Sequence, residues 1–359
     1  MIEELSGKIS TVLGSIKPIE AGLTLMHEHV FVDGSCFQSI PDEASSRPLI
    51  QSEIKPELIK HLAKQWNVIS SHIKLNDFNV MHQELKNFIL SGGKTIVEAT
   101  SIGIGRDPLA VAKMSRATGL NIIMGSSYYI PSSYPEYLSN MSEDDVYDQI
   151  VNDILVGVDD TGIKAGLIGE VGIGGSISQM INPNQEMPEE KVLRASARAQ
   201  SSTGAPMIIH PSPIKESLSK VSEIVKDCGA DPSKIIFAHM DVQTDLEVLK
   251  TLTKQGFNVE YDSWGIEDTE LIDSSDNSLQ LPNDNQRLNR IRKLINDGYI
   301  NNLIITQDMF LGLQLGKNGG KGYGHIIDNL IPRMKNFGFT EKEINNILII
   351  NPQRILTFK

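Results

Sequence analysis

The chain has 359 residues, 40% of them hydrophobic and 22% charged, which is the composition of an ordinary globular protein. Its 45 acidic residues against 33 basic ones give a net charge of -12, which argues against nucleic acid or an anionic membrane as the main partner. Cys36 and Cys228 lie far apart in no metal-binding or redox spacing, and we find no signal peptide or membrane-spanning run. We therefore expect a cytoplasmic protein with reduced thiols.

The N-terminal part of the chain predicts a hairpin, a buried strand and a long insertion. Residues 7–20 alternate and turn, as a short hairpin does, and residues 23–29 form the first buried strand. The insertion at residues 35–75 is then rich in Ser and Pro around 41–56, with a helical part near 58–66. Connections of this length in a compact domain are usually functional lids or disordered segments. We expect this insertion to be a lid-like, partial cover over a site.

From about residue 76 onwards, apolar β-rich runs alternate with segments of helical periodicity. Continuous apolar strands that alternate with helices are typical of a parallel sheet buried on both faces. With the first strand there are eight such units, which predicts an α/β protein built as one (β/α)8 TIM barrel over residues 1–359. A doubly wound open sheet is the alternative, but the glycine-rich phosphate loop that often follows its first strand is absent. The remaining seven predicted strands are 95–97, 121–124, 165–168, 207–209, 235–237, 257–261 and 303–305.

The first strand ends in His27 and His29, two residues apart. Side chains at this spacing on a strand point to the same side, so the two imidazoles project together while Glu28 faces the other way. Such a pair can begin a metal site, although a lone His-x-His is more often two ordinary histidines.

Other strand ends strengthen the metal interpretation. In a (β/α)8 barrel the chemistry collects at the C-terminal ends of the strands. Here Glu170 lies in a Gly-rich apolar strand, His210 and His239 end the fifth and sixth strands, and Asp308 follows the eighth. Each could be an ordinary buried polar residue, but a carboxylate among glycine and isoleucine is costly without a cation. Four histidines and two carboxylates on one rim favour a metal centre.

This set of residues resembles the phosphotriesterase family of the amidohydrolase superfamily, and in particular its branch of phosphotriesterase-related proteins. The likeness extends over nearly the whole chain. The further segments that carry it are residues 105–107, 204–206, 281–287, 319–325, 351–354 and 356–359. Of these, we expect Arg106 and Asp107 to pair and hold the second loop.

The resemblance implies a binuclear site. His27, His29 and Asp308 would bind the more buried metal, His210 and His239 the more exposed one, and Glu170 would bridge them. Organophosphate-degrading members place a carboxylated lysine at the bridging position, so Glu170 puts efficient triesterase activity in doubt. Histidine and carboxylate ligands suit zinc best, with manganese, cobalt or iron as alternatives.

The expected enzyme is a metal-dependent hydrolase that uses a hydroxide bridging two divalent ions, with Asp308 taking the proton on attack. We expect an ester or lactone bond of a small anionic substrate to be cleaved. The alternatives are an amidase for a small N-acyl amide of the N-acetyltaurine kind, a weak phosphotriesterase, and a non-catalytic barrel that binds a small molecule. A mononuclear deaminase-like enzyme is disfavoured, because a bridging carboxylate serves two metals.

Substrate selectivity should come from the loops at the strand ends. An aromatic pocket with one cation suits a small anionic molecule, although tyrosine and tryptophan at barrel rims often only pack. A homodimer is expected, with no nucleic acid or membrane partner. The candidate substrate-binding residues are Tyr128, Tyr129, Tyr261, Trp264, Lys321 and Tyr323.

Overall fold

The computed structural model describes residues 2–62, 65–174, 187–266, 270–272 and 278–359. Within these ranges, eight parallel strands form one sheet in which neighbours follow chain order. The predicted (β/α)8 barrel is thereby confirmed. The strands are β1 (Thr24–Glu28), β2 (Thr95–Glu98), β3 (Asn121–Ser126), β4 (Leu167–Gly172), β5 (Met207–His210), β6 (Ile235–Phe237), β7 (Asn258–Tyr261) and β8 (Leu303–Ile305).

The barrel is closed between β1 and β8 at the C-terminal ends of these strands. The backbone N–H of His27 donates to the Thr306 hydroxyl over 3.1 Å, and the N–H of Asp308 donates to the His27 carbonyl over 3.0 Å. The closure therefore fixes two of the predicted metal ligands, His27 and Asp308, directly beside each other.

A helix follows each strand and covers the outside of the barrel. The main helices are α1 (Phe78–Leu90), α2 (Pro108–Thr118), α3 (Glu143–Leu155), α4 (Pro188–Thr203), α5 (Lys215–Asp227), α6 (Leu246–Lys254), α7 (Asp284–Asn296), α8 (Ile331–Asn336), α9 (Glu341–Asn345) and α10 (Asn351–Leu356). π-helical turns at Ile326–Leu330 and Asn346–Ile350 lead into α8 and α10, and short helices lie at Ile2–Leu5 and Ile59–Leu62. Within the described residues, none of these helices has the length and apolar character needed to cross a bilayer.

In the described part of the chain, three short antiparallel pairs lie outside the barrel sheet. Ile9–Thr11 pairs with Gly14–Ile16 to form an N-terminal hairpin. Val32–Asp33 pairs with Lys74–Leu75 and brings together the two ends of the insertion after β1. The third pair, Glu270–Ile272 with Ser278–Gln280, lies between β7 and α7.

Polar side chains cap the N-termini of several helices. The Asp107 carboxylate accepts from the backbone N–H of Ala110 over 2.9 Å at the start of α2, which ends at Gly119 in the left-handed conformation (φ 77°). The expected pairing of Asp107 with Arg106 is wrong. Asp107 is used as the cap, and the buried Arg106 guanidinium instead contacts Asp153 of α3 at 2.6 Å.

The apolar side chains form two layers. An inner cluster fills the barrel with one side chain from most strands, and Ile9 of the hairpin and Ile355 of α10 pack against it from the N-terminal end. A larger outer cluster fills the space between strands and helices. Because apolar groups fill the barrel and its lower end, the polar strand-end residues are confined to the C-terminal rim.

Candidate metal centre

The six residues predicted as metal ligands gather at the C-terminal rim, around the carboxylate of Glu170. Glu170 Oε1 lies 3.4 Å from His29 Nε2, and Oε2 lies 3.4 Å from His27 Nε2. On the other side, Oε2 lies 3.3 Å from His210 Nδ1 and 3.7 Å from His239 Nε2. Glu170 is therefore shared by two pairs of histidines.

Asp308 lies beside the first pair and reaches towards the second. Its Oδ1 is 3.3 Å from His29 Nε2 and 3.8 Å from His27 Nε2, while Oδ2 is 3.9 Å from His239 Nδ1. The Asp308 carboxylate is partly exposed, whereas His27 is fully buried. Asp308 thus lies between the buried histidines and the solvent.

Irregularities in two strands aim the central side chains. Met26 of β1 and Leu167 of β4 belong to the inner barrel cluster. Strict alternation from these residues would turn His27 and Glu170 away from the barrel axis. The strand pairing shifts register between Leu25 and Glu28 and again between Ile168 and Val171. A bulge re-aims the side chains that follow it, so these shifts bring His27 and Glu170 to the rim.

Two other members of the cluster have unusual backbone conformations. His239 (φ 58°) and Asp308 (φ 49°) lie in the left-handed region, which non-glycine residues adopt rarely. Such conformations persist only where the surroundings enforce them, and they are frequent at functional sites. The His239 N–H donates to Asp262 Oδ2 over 2.7 Å, which helps to hold this turn.

The donor atoms fit divalent metal ions. A tetrahedral metal with ligand bonds of about 2.0–2.2 Å separates its ligand atoms by roughly 3.3 Å, close to the shorter distances around Glu170. His27 Nε2 and Glu170 Oε2 are buried without a hydrogen-bond partner. Buried polar atoms in this state are costly, and a cation between them would satisfy both. Two sets of potential ligand atoms share Glu170, one with His27 and His29 and one with His210 and His239, and a third set joins His27, His239 and Asp308.

The two groups differ in exposure. The side chains of His27 and His29 are 0% and 4% exposed, while those of His210 and His239 are 29% and 17% exposed. The cluster therefore opens towards solvent on the side of His210. A substrate can approach from this side without displacing the buried pair.

Carboxylates behind the histidines orient the rings, and sequence reasoning missed them. Glu260 Oε1 lies 2.8 Å from His27 Nδ1, and Asp262 Oδ2 lies 2.9 Å from His239 Nδ1. The Thr100 hydroxyl takes the same position towards His29 Nδ1 at 2.8 Å. Metal-binding histidines commonly donate their second N–H to such groups. The available signal was the pair of carboxylates at the end of β7, a strand otherwise buried.

Glu28, on the opposite face from the two histidines, supports the loop that carries Asp308. Its buried carboxylate accepts from the Thr306 hydroxyl at 2.7 Å and from the backbone N–H groups of Gln307 and Met309, both at 2.9 Å. Burial raises the pKa of Glu28 to about 8. The Glu28 carboxylate thus holds β1 and the loop after β8 together.

The electrostatics of the cluster favour cations. Burial alone would raise the pKa of Glu170, but His27, His210 and His239 outweigh burial and hold that pKa well below its usual range. Burial would likewise lower the pKa of His27, yet the carboxylates of Glu170, Glu260 and Asp308 raise it well above its usual value. Because positive charge is stabilised here, a divalent ion can replace the protons on the imidazoles.

The predicted substrate-binding residues divide between the site and the interior. The Tyr129 hydroxyl lies 3.3 Å from His210 Nδ1, so this residue borders the cluster. Lys321 is exposed, and its side chain lies beside Gly265 in the loop after β7.

The other four lie in the interior, and the structure does not bring them to the open side of the cluster. Tyr128 donates to Gln149 of α3 over 2.6 Å, Trp264 Nε1 donates to the Tyr261 carbonyl over 2.9 Å, and Tyr323 donates to the His29 carbonyl over 2.9 Å. Tyr261 is fully buried in the core. These side chains support the fold and the backbone of His29, and we leave them out of the proposed substrate site.

Three further aromatic residues, one in contact with the cluster and two behind it in the insertion, were not predicted. Phe310, two residues after Asp308, contacts His29 with ring centroids 6.5 Å apart. Phe37 and Trp66 come from the insertion, and Phe37 contacts Tyr129 with centroids 6.0 Å apart. No periodicity relates the insertion to the barrel strands, so the sequence offered only the lid-like character of residues 35–75 as a signal.

Comparison with known proteins gives one consistent result. The model of the Phosphotriesterase family matches residues 7–356. N-acetyltaurine hydrolase from Dictyostelium discoideum is 38% identical over 99% of each chain. Among solved structures, a resiniferatoxin-binding protein from Rhodobacter sphaeroides superimposes with a TM-score of 0.90 at 32% identity, covering 98% of this chain and 97% of that one. The lactonase Lmo2620 from Listeria monocytogenes shares the fold, with a TM-score of 0.75 at 24% identity over 98% and 99% of the two chains.

Proposed function

This chain belongs to the phosphotriesterase family, and on that premise we propose that it is a binuclear metallohydrolase that cleaves the amide bond of a small, anionic N-acyl substrate. The observation that carries the proposal is the shared carboxylate of Glu170, which lies within 3.7 Å of a nitrogen atom of each of the four histidines. A carboxylate in this position can join two metal ions into one reactive unit.

The amide reading, our alternative from the sequence, now takes precedence over the lactone reading. The relative from Dictyostelium discoideum is named as an N-acetyltaurine hydrolase and matches this chain over nearly its full length. The lactonase, at 24% identity, shares the fold alone. An N-acyl amide with a short acyl group and a sulfonate or carboxylate on the amine side is therefore the preferred substrate class.

We propose that His27, His29 and Asp308 hold one divalent ion, that His210 and His239 hold a second, and that Glu170 contacts both. Zinc is the preferred metal, with manganese, cobalt or iron as alternatives, because histidine and carboxylate ligands suit these ions. When bound, such ions lower the pKa of a water molecule and polarise the carbonyl that it attacks. Glu260 and Asp262 hold the His27 and His239 rings with their second nitrogen atoms facing inward.

Asp308 is the group best placed to move a proton. Its Oδ2 lies on the side of His239, where the cluster opens to solvent, and its carboxylate can accept a proton from the attacking water. The amide nitrogen needs a proton to leave as an amine, and Asp308 can donate the same proton to it. Asp308 would thereby accept a proton when water attacks and donate it when the amine leaves.

Tyr129 and Lys321 are the proposed substrate contacts. The Tyr129 hydroxyl lies beside His210 on the open side, where it can donate to the oxygen of the scissile carbonyl. Lys321 is exposed beside Gly265, where its ammonium can pair with an anionic group on the amine side. A homodimer and a cytoplasmic location stay predictions.

The test is a matched substrate panel. Initial rates would be measured for zinc- and manganese-loaded protein on N-acetyltaurine and N-acetylated amino acids, on lactones and sugar-phosphate lactones, and on paraoxon-like triesters, with chelator-treated protein as control. A clear preference for the amides supports the proposal, and a preference for lactones refutes its choice of bond. No turnover with two metals bound would favour the non-catalytic binding barrel.

A further inference from the structure

The two ends of the insertion after β1 pair with each other at its base, and its far side packs on the barrel. At the base, Val32–Asp33 pairs with Lys74–Leu75, and the N–H of Gly34 donates to the Ile73 carbonyl over 2.8 Å. At the far side it packs on the loop after β8, so closely that a Cβ on Gly312 would lie 2.4 Å from Ile54 Cδ1 and 3.1 Å from the Ser71 carbonyl oxygen. Two aromatic residues of the insertion, Phe37 and Trp66, contact the rim residues Tyr129 and Phe310.

Trp66 is the point at which two aromatic paths from the metal centre meet. One path runs from His29 to Phe310 and on to Trp66, with ring centroids 6.5 Å and 6.0 Å apart. The second runs from His210 through Tyr129 and Phe37 to Trp66, with centroids 4.9, 6.0 and 5.6 Å apart.

The two paths close into a ring at the metal centre, because His29 and His210 both contact Glu170. The side chains between the two histidines are thus aromatic along the whole route. Trp66 is thereby connected to Glu170 through both paths.

The position of Trp66 is further fixed through its own backbone. His72 Nδ1 lies 2.6 Å from the Trp66 carbonyl oxygen, and His72 is buried. The indole itself is half-buried, and its Nε1–H has no hydrogen-bond partner among the described residues. A rigid indole with an unused donor is suited to contact a ligand group that is mostly apolar but carries an acceptor.

We propose that Trp66 is a specificity-determining residue, whose indole limits the acyl part of the substrate to a short apolar chain. This inference rests on the proposed amidase function. The wall formed by Phe37, Trp66 and Phe310 is apolar, so it suits the acyl group, whereas Lys321 beside Gly265 suits the anionic group. The substrate then lies with its acyl end under the insertion.

The test compares acyl chain lengths in the full-length, metal-loaded protein. Values of kcat/KM would be measured for N-acetyl-, N-butyryl- and N-hexanoyltaurine with the wild type, Trp66→Ala, Trp66→Phe and the control Leu90→Ala, which removes an exposed side chain of α1. A hydrophobic pocket discriminates about 10- to 200-fold per methylene group. Trp66→Ala should therefore raise the ratio of hexanoyl to acetyl turnover at least about tenfold, and Trp66→Phe should raise it less.

A ratio in Trp66→Ala within about twofold of the wild type overturns the proposal, provided that metal content and thermal stability match. Should Trp66→Ala fold poorly, Trp66→Phe decides, because a phenyl ring keeps the wall but is smaller and lacks the N–H. The control Leu90→Ala must leave the ratio of hexanoyl to acetyl turnover unchanged.

A binding measurement separates this inference from the proposed function. The chain has two tryptophans, and Trp264 is buried with its N–H already bonded. The fluorescence difference between wild type and Trp66→Phe therefore reports Trp66. Acetate, butyrate and hexanoate would each be titrated into both proteins. Acetate should change the fluorescence difference most strongly, and it should do so even if the protein cleaves no amide. An equal change in both proteins contradicts a role for Trp66, while absent turnover alone contradicts the amidase.

Discussion

Glu260 Oε1 and His27 Nδ1 are 2.8 Å apart, and both side chains are fully buried. The Glu260 carboxylate holds the Nδ1 side of the His27 ring, which leaves Nε2 directed at Glu170 Oε2 over 3.4 Å. Burial raises the pKa of Glu260 to about 7, and the proximity of His27 acts in the opposite direction. Glu260 is therefore a positioning residue for the metal centre that does not itself reach the substrate.

Replacing Glu260 should weaken metal binding more than it weakens the fold. We expect Glu260→Leu to lower the affinity for divalent metal roughly 10- to 100-fold, since the ring loses its orienting acceptor. Glu260→Gln keeps an acceptor oxygen and should lose less. Metal retained after dialysis against a graded chelator series measures both. Equal retention by wild type and Glu260→Leu would show that the contact is only structural.

Asp308→Asn tests the proton transfer. The amide keeps the shape and one oxygen donor, so at least one metal should remain bound, but it cannot accept a proton. We expect kcat to fall by a factor of about 10² to 10⁴ on the best substrate of the panel. Asp148→Asn, an exposed change on α3, is the matched control. Asp308→Asn with wild-type rate and wild-type metal content would exclude Asp308 as the proton carrier.

The eight-strand barrel could be predicted from the sequence because continuous apolar runs alternate with segments of helical periodicity. The convergence of His27, Glu170 and Asp308 followed from one rule, that strand ends meet at a single rim. The direction in which Glu170 points did not follow from alternation, because a register shift after Ile168 re-aims it. Local pairing irregularities of this kind leave no periodic trace.

Residues that act through others, or that come from the insertion, escaped prediction for different reasons. Glu260 lies within a strand, where its contact with His27 depends on a neighbour 233 residues away. Trp66 reaches the rim through the packing of the insertion against the loop around Gly312. Both contacts depend on tertiary packing, which leaves no periodic pattern in the sequence.

Glu170 supplies its carboxylate without modification, in contrast to the carboxylated lysine of the organophosphate-degrading members. Activity of the metal-reconstituted wild type should therefore be the same in carbon-dioxide-free buffer and in bicarbonate. Glu170→Gln removes the charge that, in the proposed site, would hold two cations together, and we expect it to lose one metal and about 10²-fold or more in kcat. Metal content and rates with and without bicarbonate check both points. A rise in wild-type activity on adding bicarbonate would be inconsistent with Glu170 as the bridge.

His72 makes the stability of the insertion depend on pH. Burial lowers the pKa of His72 below its ordinary value of 6.5, only partly opposed by the Trp66 carbonyl. The folded protein thus binds this proton less readily than the unfolded chain, so the stability contributed by neutral His72 is complete above pH 6.5 and is lost as the pH falls through the folded pKa. Proteolysis within the insertion should therefore accelerate as the pH falls from 6.5 through the folded pKa of His72.

The variant His72→Asn keeps a donor for the Trp66 carbonyl but does not titrate, so its proteolysis should depend less on pH. Subtracting its pH profile from that of the wild type removes the titration of the metal-centre histidines, which both proteins share. His82→Asn, on α1, is the control and should follow the wild type. Parallel profiles for wild type and His72→Asn would assign the pH dependence to other groups.

Lys234 secures the C-terminal helix to the barrel. Its buried Nζ donates to the carbonyls of Arg354 (2.7 Å) and Ile355 (3.0 Å) and also to that of Thr357, all at the end of α10. The last carbonyls of a helix have no partner within the helix, and here one ammonium group satisfies three of them.

Lys234→Met fills the same space but leaves these carbonyls unpaired, so we expect the free energy of unfolding to fall by about 3 kcal/mol. Urea unfolding measures this loss against Lys342→Met, an exposed lysine on α9 that should change stability by less than about 0.5 kcal/mol. Since α10 packs against the hairpin that closes the lower end of the barrel, a loss as small as that of the control would mean that water reaches these carbonyls and that the helix is held by its apolar face alone.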